Sequence, residues 1–579
     1  MRMGKLLAGA CAAALVLSGA TAWGAEVTPD RLLNAGADAE AGNWLMVGKN
    51  YNSNRFSTLN EINASNVTGL RVVTAAALGG TEPGGFGVGS MQGTPLADNG
   101  FLFVSDPWGT PYKFDLSDGK QAKLVWVCDT GVEKDPTLAR IVASRGLALS
   151  GKLVITALVT GHVVACDSET GEVVWDKTIG GEGEGFDAAP LVVGDKVLVS
   201  QAFGDWATRG YIAALKVDSG DEVWRWYAVP KPGDPGSETW KCDQAGNPDC
   251  WKTGGGGMWQ TGSYDPDTKT IYWGTGNPVP MFDPEYRPGD NLYTNSSIAL
   301  DADTGKMKWY FQYTPGDYHD YDEIGPQLLV DTKINGEDRK VLAHFGRNGI
   351  FYDLDRTNGA YIQSGQYVEK LTWTKGIDPK TGKPLEYDPS KSLQTYAEGV
   401  INRAGAKATT YPNIQGGTNF FPTGYNPTLG IAYAVGIEGC SDLAVKAVAP
   451  ADVKPGLLFQ GGTSPANGAQ TGTVTAVDVA TGKKIAQQPT PFPMYSGVLA
   501  TPDLIWAGST DGTFAAYDAK TLEVKWSMNV GTGFQGSPIA FTAGGKEYIA
   551  IMGGGPGQSF GHPELEKKSG ANIVWIFGL

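Results

Sequence analysis

Short apolar runs alternate with tight polar turns along most of the chain, and one such phrase recurs. It reads KFDLSDGKQAKLVW at 113–126, ACDSETGEVVW at 165–175, ALKVDSGDEVW at 214–224, ALDADTGKMKW at 299–309, AVDVATGKKIA at 476–486 and AYDAKTLEVKW at 516–526, with a weaker copy, DLDRTNGAYI, at 353–362. Each copy is an apolar strand, a turn containing Asp and usually Gly, and a second strand closed in most copies by Trp. The turn residues fix the register of the two strands, so the phrase predicts a β-hairpin. Further strand-like runs, KLVITALV, KVLVSQAF and TIYWGTG, lie between the copies, and no stretch keeps a long helical period. Hairpins repeated in this way predict four-stranded sheets arranged radially, an all-β β-propeller. The segment GYNPTLGIAYAVG at 424–436 resembles SYDPDTKTIYWGTG at 263–276 and is expected to belong to another unit between the copies at 353 and 476. The count is then eight blades, with seven as the alternative. The Trp residues that close the hairpins are expected to pack between neighbouring blades.

Composition supports strands and turns: the 579 residues include 81 Gly, 17 Trp and 23 Tyr. A formal net charge of −15 argues against nucleic acid or an anionic membrane as partner and suits a basic one. The opening MRMGKLLAGACAAALVLSGATAW has two cations, a small apolar run and a small-residue cleavage pattern, which reads as a secretory signal peptide over about residues 1–25. Residues 26–579 are then expected to form a single propeller domain in the periplasm, with no later segment apolar enough to span a bilayer. Export implies an oxidising compartment, where Cys242 and Cys250 in KCDQAGNPDCW are expected to close a short disulfide loop. The pairing of Cys128, Cys166 and Cys440 is left open. There is no Cys-x-x-Cys-His for covalent haem, so any electrons must leave through a separate protein. The four histidines show no paired ligand spacing, which argues against zinc.

The stretch GDYHDYDEIG at 316–325 carries Asp317, Asp320, Asp322 and Glu323. In an extended segment residues two apart share a face, so Asp320 and Asp322 are expected to point into one cavity while Tyr321 packs away from it. Two carboxylates facing one site call for a cation. Taken alone, the same cluster also reads as a solvated acidic loop.

Three longer stretches extend the pattern: NWLMVGKNYNSNRFSTLNEINASNVTGL near the start, WGTGNPVPMFDPEYRPGDNLYTNSSIALDADTG in the middle and GTGFQGSPIAF near the end. With the Trp-closed hairpins, they resemble the quinoprotein alcohol dehydrogenases, exported propeller enzymes that carry pyrroloquinoline quinone (PQQ). The resemblance spans nearly the whole mature chain. It implies a metal site of Asp205, Asn277, Asp320 and Asp322. Asp205 stands where the family usually has Glu, and Asp322 matches the extra ligand of lanthanide-using members, so the cation is expected to be calcium or a light lanthanide. It also implies Asp320 as general base, and Arg347 beside it in contact with the quinone. Trp259 matches the floor beneath PQQ, while Gln92, Arg145, Asp187 and Asn419 match other cofactor-side positions. For Arg145 a salt bridge is the alternative reading, and for Trp259 interblade packing; the Gly run before Trp259 is expected to leave room for a ligand.

The chain departs from the family at Ala139 and Arg140, where many members have two adjacent cysteines, and at Phe203 and Asp187, where smaller polar residues are usual. A site open to secondary or bulky alcohols is expected. His319 stands where the family often has Trp, and is read as a packing or supporting residue or as a substrate contact. The implied partners are a small-molecule alcohol and a soluble cytochrome c, and a homodimer is compatible with the resemblance. The competing readings are a non-catalytic propeller that binds protein partners and a quinoprotein sugar dehydrogenase. A scaffold would have no use for the set Asp205, Trp259, Asn277, Asp320 and Arg347.

Overall fold

Every copy of the repeated phrase forms the third and fourth strands of a sheet, and the turn is held by its own aspartate except at 214–224, where Lys216 stands in that place. The structure, a computed structural model, describes residues 26–84, 87–138, 140–398, 403–554, 559–566 and 571–579. The signal-peptide reading of residues 1–25 and the position of Ala139 lie outside these. In the hairpin of strands His162–Asp167 and Val173–Thr178, the Asp167 carboxylate accepts the N–H groups of Glu169 and Thr170 at 2.8 Å each. Asp518 does the same for Lys520 and Thr521, at 3.0 and 2.9 Å. Such local bonds satisfy turn donors that no strand partner can reach.

Among the described residues there are eight four-stranded antiparallel sheets. Six take four strands that follow one another along the chain, and a seventh does so around an insertion. The segment 424–436 is not a unit of its own: strands Gly424–Asn426 and Ile431–Glu438 pair onward with Thr471–Asp478 and Lys483–Thr490, the hairpin at 476. The lengthened connection within this sheet carries a three-stranded sheet of Lys407–Thr410, Ser441–Val445 and Gly462–Thr463, the first of these coming from the preceding loop. The remaining sheet joins both chain ends, Arg71–Ala77 pairing with Ile573–Gly578 outside Lys546–Gly553 and Ile539–Ala543. That pairing closes the ring by hydrogen bonds between the two ends of the chain.

The hairpin tryptophans do pack between sheets. Trp126 donates its indole N–H to the Ser168 carbonyl in the next hairpin turn at 3.1 Å, and Trp175, Trp224 and Trp309 repeat this on Val217, Ala302 and Arg356. The indole face lies on the turn glycine: a Cβ on Gly171, whose φ is +76°, would stand 2.9 Å from the Trp126 ring. The phrase at 516–526 has Leu522 where the others have Gly, at φ +60°. Its neighbour in the preceding hairpin is Ala486 in place of Trp, so the space an indole would occupy is open to the Leu522 side chain, which is fully buried.

Two disulfides add covalent ties. Cys242–Cys250 closes the expected eight-residue loop, and Cys128–Cys166 joins the end of one sheet to the third strand of the next; Cys440 is free and buried. Among the described residues no helix is long and apolar enough to cross a membrane.

Candidate active site

The loops that leave the inner ends of the sheets converge on a cavity of about 310 Å³. Asp205, Asp320, Asp322, Arg347, Trp259, Asn419, Arg145, Asp187 and Gln92 all line it. Asp205 lies in the short 3₁₀ turn Gly204–Trp206 that follows strand Lys196–Ser200. Asn277 stands one layer behind the wall: its backbone N–H donates to Asp322 Oδ1 at 2.7 Å, and its side-chain amide meets Asp205. Gly276 permits this approach, since a Cβ there would stand 2.5 Å from Asp322 Oδ1.

Asp320 and Asp322 share the cavity, though not through extended backbone. Residues 316–325 contain no strand, and Asp320 has φ +67°, in the left-handed region. That turn, and not strand alternation, aims both carboxylates inward while Tyr321 is buried among Trp373, Tyr318 and Tyr396. Arg347, in the turn between Glu337–Phe345 and Ile350–Asp355, grips both acids. Its Nη2 meets Asp320 Oδ2 at 2.9 Å, its Nη1 meets Asp322 Oδ2, and Nε donates to the Ile414 carbonyl at 2.8 Å. The planar fork of a guanidinium suits such bridging of two carboxylates.

Three carboxylates face this one guanidinium, and their chemistry shows the imbalance. Burial, reinforced by Asp322, pushes Asp205 up to about 7. Burial also holds Asp320 well above the carboxylate range, Arg347 opposing it and Asp322 and Asp205 adding to it, and raises Asp322 in the same way. Asp320 Oδ1 is buried with no hydrogen-bond partner. No three His, Cys, Asp or Glu side chains among the described residues are grouped so as to hold a metal ion by themselves. The oxygen-only donors and the surplus negative charge fit a hard cation whose shell is completed from outside the protein.

The opposite side of the cavity fits a flat, acidic ring. Arg145 lies 4.9 Å from the Trp259 ring and 4.7 Å from that of Phe420, donates to the Trp259 carbonyl at 2.8 Å, and pairs with Asp187 at 2.6 Å. The salt bridge read as the alternative for Arg145 is thus present, and it lies in the cavity wall. Arg145 Nε, Asp187 Oδ1 and Gln92 Oε1 are buried without partners. Asn419 donates to the Gln415 carbonyl at 2.8 Å. The Gly run before Trp259 does not open space for a ligand. A Cβ on Gly257 would stand 2.5 Å from the Ala202 carbonyl, so these glycines let two backbones touch.

His319 does not line the cavity. Its ring nitrogens meet Asp317 Oδ1 at 3.0 Å and Glu398, so burial is outweighed and the imidazole is pushed up to about 9. Gln415, Phe420, Tyr495, Ser90, Ile141, Val142 and Trp206 line the cavity without having been singled out, and so does Gln535 of the stretch GTGFQGSPIAF. Phe203 forms part of the apolar wall. It lies edge-to-face on Trp206 at 5.4 Å and under the Arg140 guanidinium at 5.2 Å, which donates to the Val159 and Glu184 carbonyls at 2.7 Å each.

Comparison with known proteins agrees with this geometry. The family described as "PQQ: Glucose/ethanol/alcohol dehydrogenase, beta-propeller domain" matches residues 44–366. The quinoprotein alcohol dehydrogenase PedH of Pseudomonas putida is 33% identical over 516 residues, covering 86% of this chain and 84% of that one. The lanthanide-dependent methanol dehydrogenase of Methylacidiphilum fumariolicum is 32% identical over 555 residues, covering 89% and 85%. Among solved structures, a europium-containing methanol dehydrogenase superposes with a TM-score of 0.84 at 27% identity, covering 95% of this chain and all of that one. The quinohemoprotein alcohol dehydrogenase of Comamonas testosteroni gives 0.83 at 28% identity, covering 96% and 83%. The chain belongs to the PQQ-dependent alcohol dehydrogenase family of β-propeller oxidoreductases.

Proposed function

We propose that the mature chain, residues 26–579, is a periplasmic dehydrogenase that uses PQQ and calcium or a light lanthanide to oxidise a secondary or bulky alcohol. The observation that carries this reading is the meeting of Asp320, Asp322, Asp205, Arg347 and Trp259 in one cavity. Bound there, the quinone supplies the hydride acceptor and the cation withdraws electron density from its carbonyl. Trp259 offers an indole face to the ring, while Arg145 and Arg347 offer positive charge to its acidic groups. Asp205, Asp320 and Asp322 would hold the cation, with Asn277 behind them.

Asp320 takes the alcohol proton on Oδ1. Arg347 occupies Oδ2 and leaves Oδ1 as the oxygen free to accept. Arg347 keeps the acid oriented and offsets the negative charge of its neighbours. Ile141, Val142, Ala202, Phe203 and Trp206 give the cavity an apolar side suited to an alcohol's hydrocarbon substituents. Electrons leave to an external acceptor such as a soluble cytochrome c, whose basic face would complement a chain of net charge −15.

The test is a substrate panel of primary, secondary and cyclic alcohols and sugars, with PQQ, a cation and an acceptor dye. Secondary or cyclic alcohols should give the highest kcat/KM. Methanol or a sugar in first place would contradict the substrate assignment.

A further inference from the structure

Asp320 is a non-glycine residue held in the left-handed region, and its surroundings fix it there. The two N–H groups that flank it, of His319 and Tyr321, both donate to the carboxylate of Asp317, at 3.0 Å each. Asp317 is therefore the hub of the turn. It is itself buried, with Asn295 at 3.3 Å from its Oδ2 and the His319 ring at 3.0 Å from its Oδ1.

The other nitrogen of His319 binds Glu398, which lies far along the chain beside Tyr396. Aromatic rings hold the imidazole plane. Tyr318 stacks on it at 4.3 Å, Tyr321 stacks at 4.9 Å and nearly parallel, and Trp373 meets it edge-on at 5.8 Å. Neither His319, Asp317 nor Glu398 faces the cavity. An indole, with a single N–H, could not bridge two carboxylates, so this link depends on the histidine.

We propose that His319 and Glu398 are positioning residues, which lock the Asp317-centred turn and so hold the Asp320 carboxylate at its working angle. The proposal rests on Asp320 acting as the base. Misplacing a reacting group by about 1 Å costs on the order of 100-fold in rate.

The experiment compares the native chain with His319→Gln and Glu398→Ala. Each is loaded with PQQ and a cation, and activity is normalised to bound cofactor. The expected result is a fall in kcat of about 10- to 100-fold, with KM for the alcohol and PQQ affinity, read by tryptophan fluorescence, little changed. Backbone amide exchange, measured without cofactor, should accelerate in residues 317–322 and stay unchanged in the sheets. Glu398→Ala leaves the loop sequence intact and carries the test if His319→Gln does not fold. Normal kcat per bound cofactor, or unchanged exchange at 317–322, would overturn the proposal. A native chain inactive with PQQ would instead refute the functional reading, while the exchange measurement would still decide the link.

Discussion

Replacing Asp322 by Asn should lower the preference for lanthanum over calcium. Asparagine keeps an oxygen for the Asn277 N–H, now accepted at 2.7 Å, and removes one negative charge. Arg347 loses one partner and keeps Asp320 and the Ile414 carbonyl, at 2.9 and 2.8 Å. The cost in stability is therefore on the order of 1–3 kcal/mol. Lanthanum and calcium differ by one unit of charge. A carboxylate about 4 Å away distinguishes them by ~1 kcal/mol in bulk water and by ~4 kcal/mol at an effective dielectric constant near 20. Asp322 is buried, which favours the larger figure. The lanthanum-to-calcium affinity ratio should then fall between about 5-fold and about 1000-fold. The assay titrates protein and PQQ with each ion, reading tryptophan quenching and dye reduction in both chains. A native chain that responds only to calcium, or a ratio that moves less than about twofold, would refute Asp322 as a metal selector.

Asp320→Asn should lower kcat by about 100- to 10,000-fold while leaving the far-ultraviolet circular dichroism intact; near-normal turnover would move the base to Asp322. Phe203→Ala should raise kcat/KM for bulky over small alcohols and destabilise the fold by about 3–5 kcal/mol, so an unchanged substrate order would remove Phe203 from the specificity wall. Glu547 gives a pH-dependent stability: burial pushes it from 4.5 up to about 7, with one oxygen on the Ile62 N–H and the other unpartnered. The native state holds the proton that the unfolded chain releases between these values, so stability is lost as pH rises through that window. Glu547→Gln should therefore raise Tm at pH 8, by on the order of 3 kcal/mol in stability, and change little at pH 5; equal Tm shifts at both pH values would contradict this.

The propeller was legible in the sequence because its devices are local. An Asp that bonds its own turn, a Gly with positive φ and a Trp that reaches the next turn all lie within about a dozen residues of each other. The sheet built from both chain ends carries no such phrase, and 424–436 looked like part of an additional unit because a long insertion separates it from its own hairpin at 476. The Cys128–Cys166 bridge depends on two sheets lying side by side, which spacing does not show. Within the site, each acid and arginine given a metal, base or cofactor role reaches the cavity wall, whereas Asn277 backs it. The aim of Asp320 and Asp322 was legible; its cause, a left-handed turn tied to Asp317, depends on a histidine and a glutamate 79 residues apart. Gln415 and Tyr495 reach the cavity from separate loops and carry no local pattern.

The central claim is that this cavity joins PQQ and a cation into one working site. The most direct measurement is alcohol-dependent dye reduction by purified, cofactor-free protein, with PQQ and lanthanum or calcium added singly and together. Each component completes the other's binding shell, so turnover should require both and should vanish with chelator. Alcohol-dependent turnover without PQQ or in chelator, or none with both present, would contradict the account.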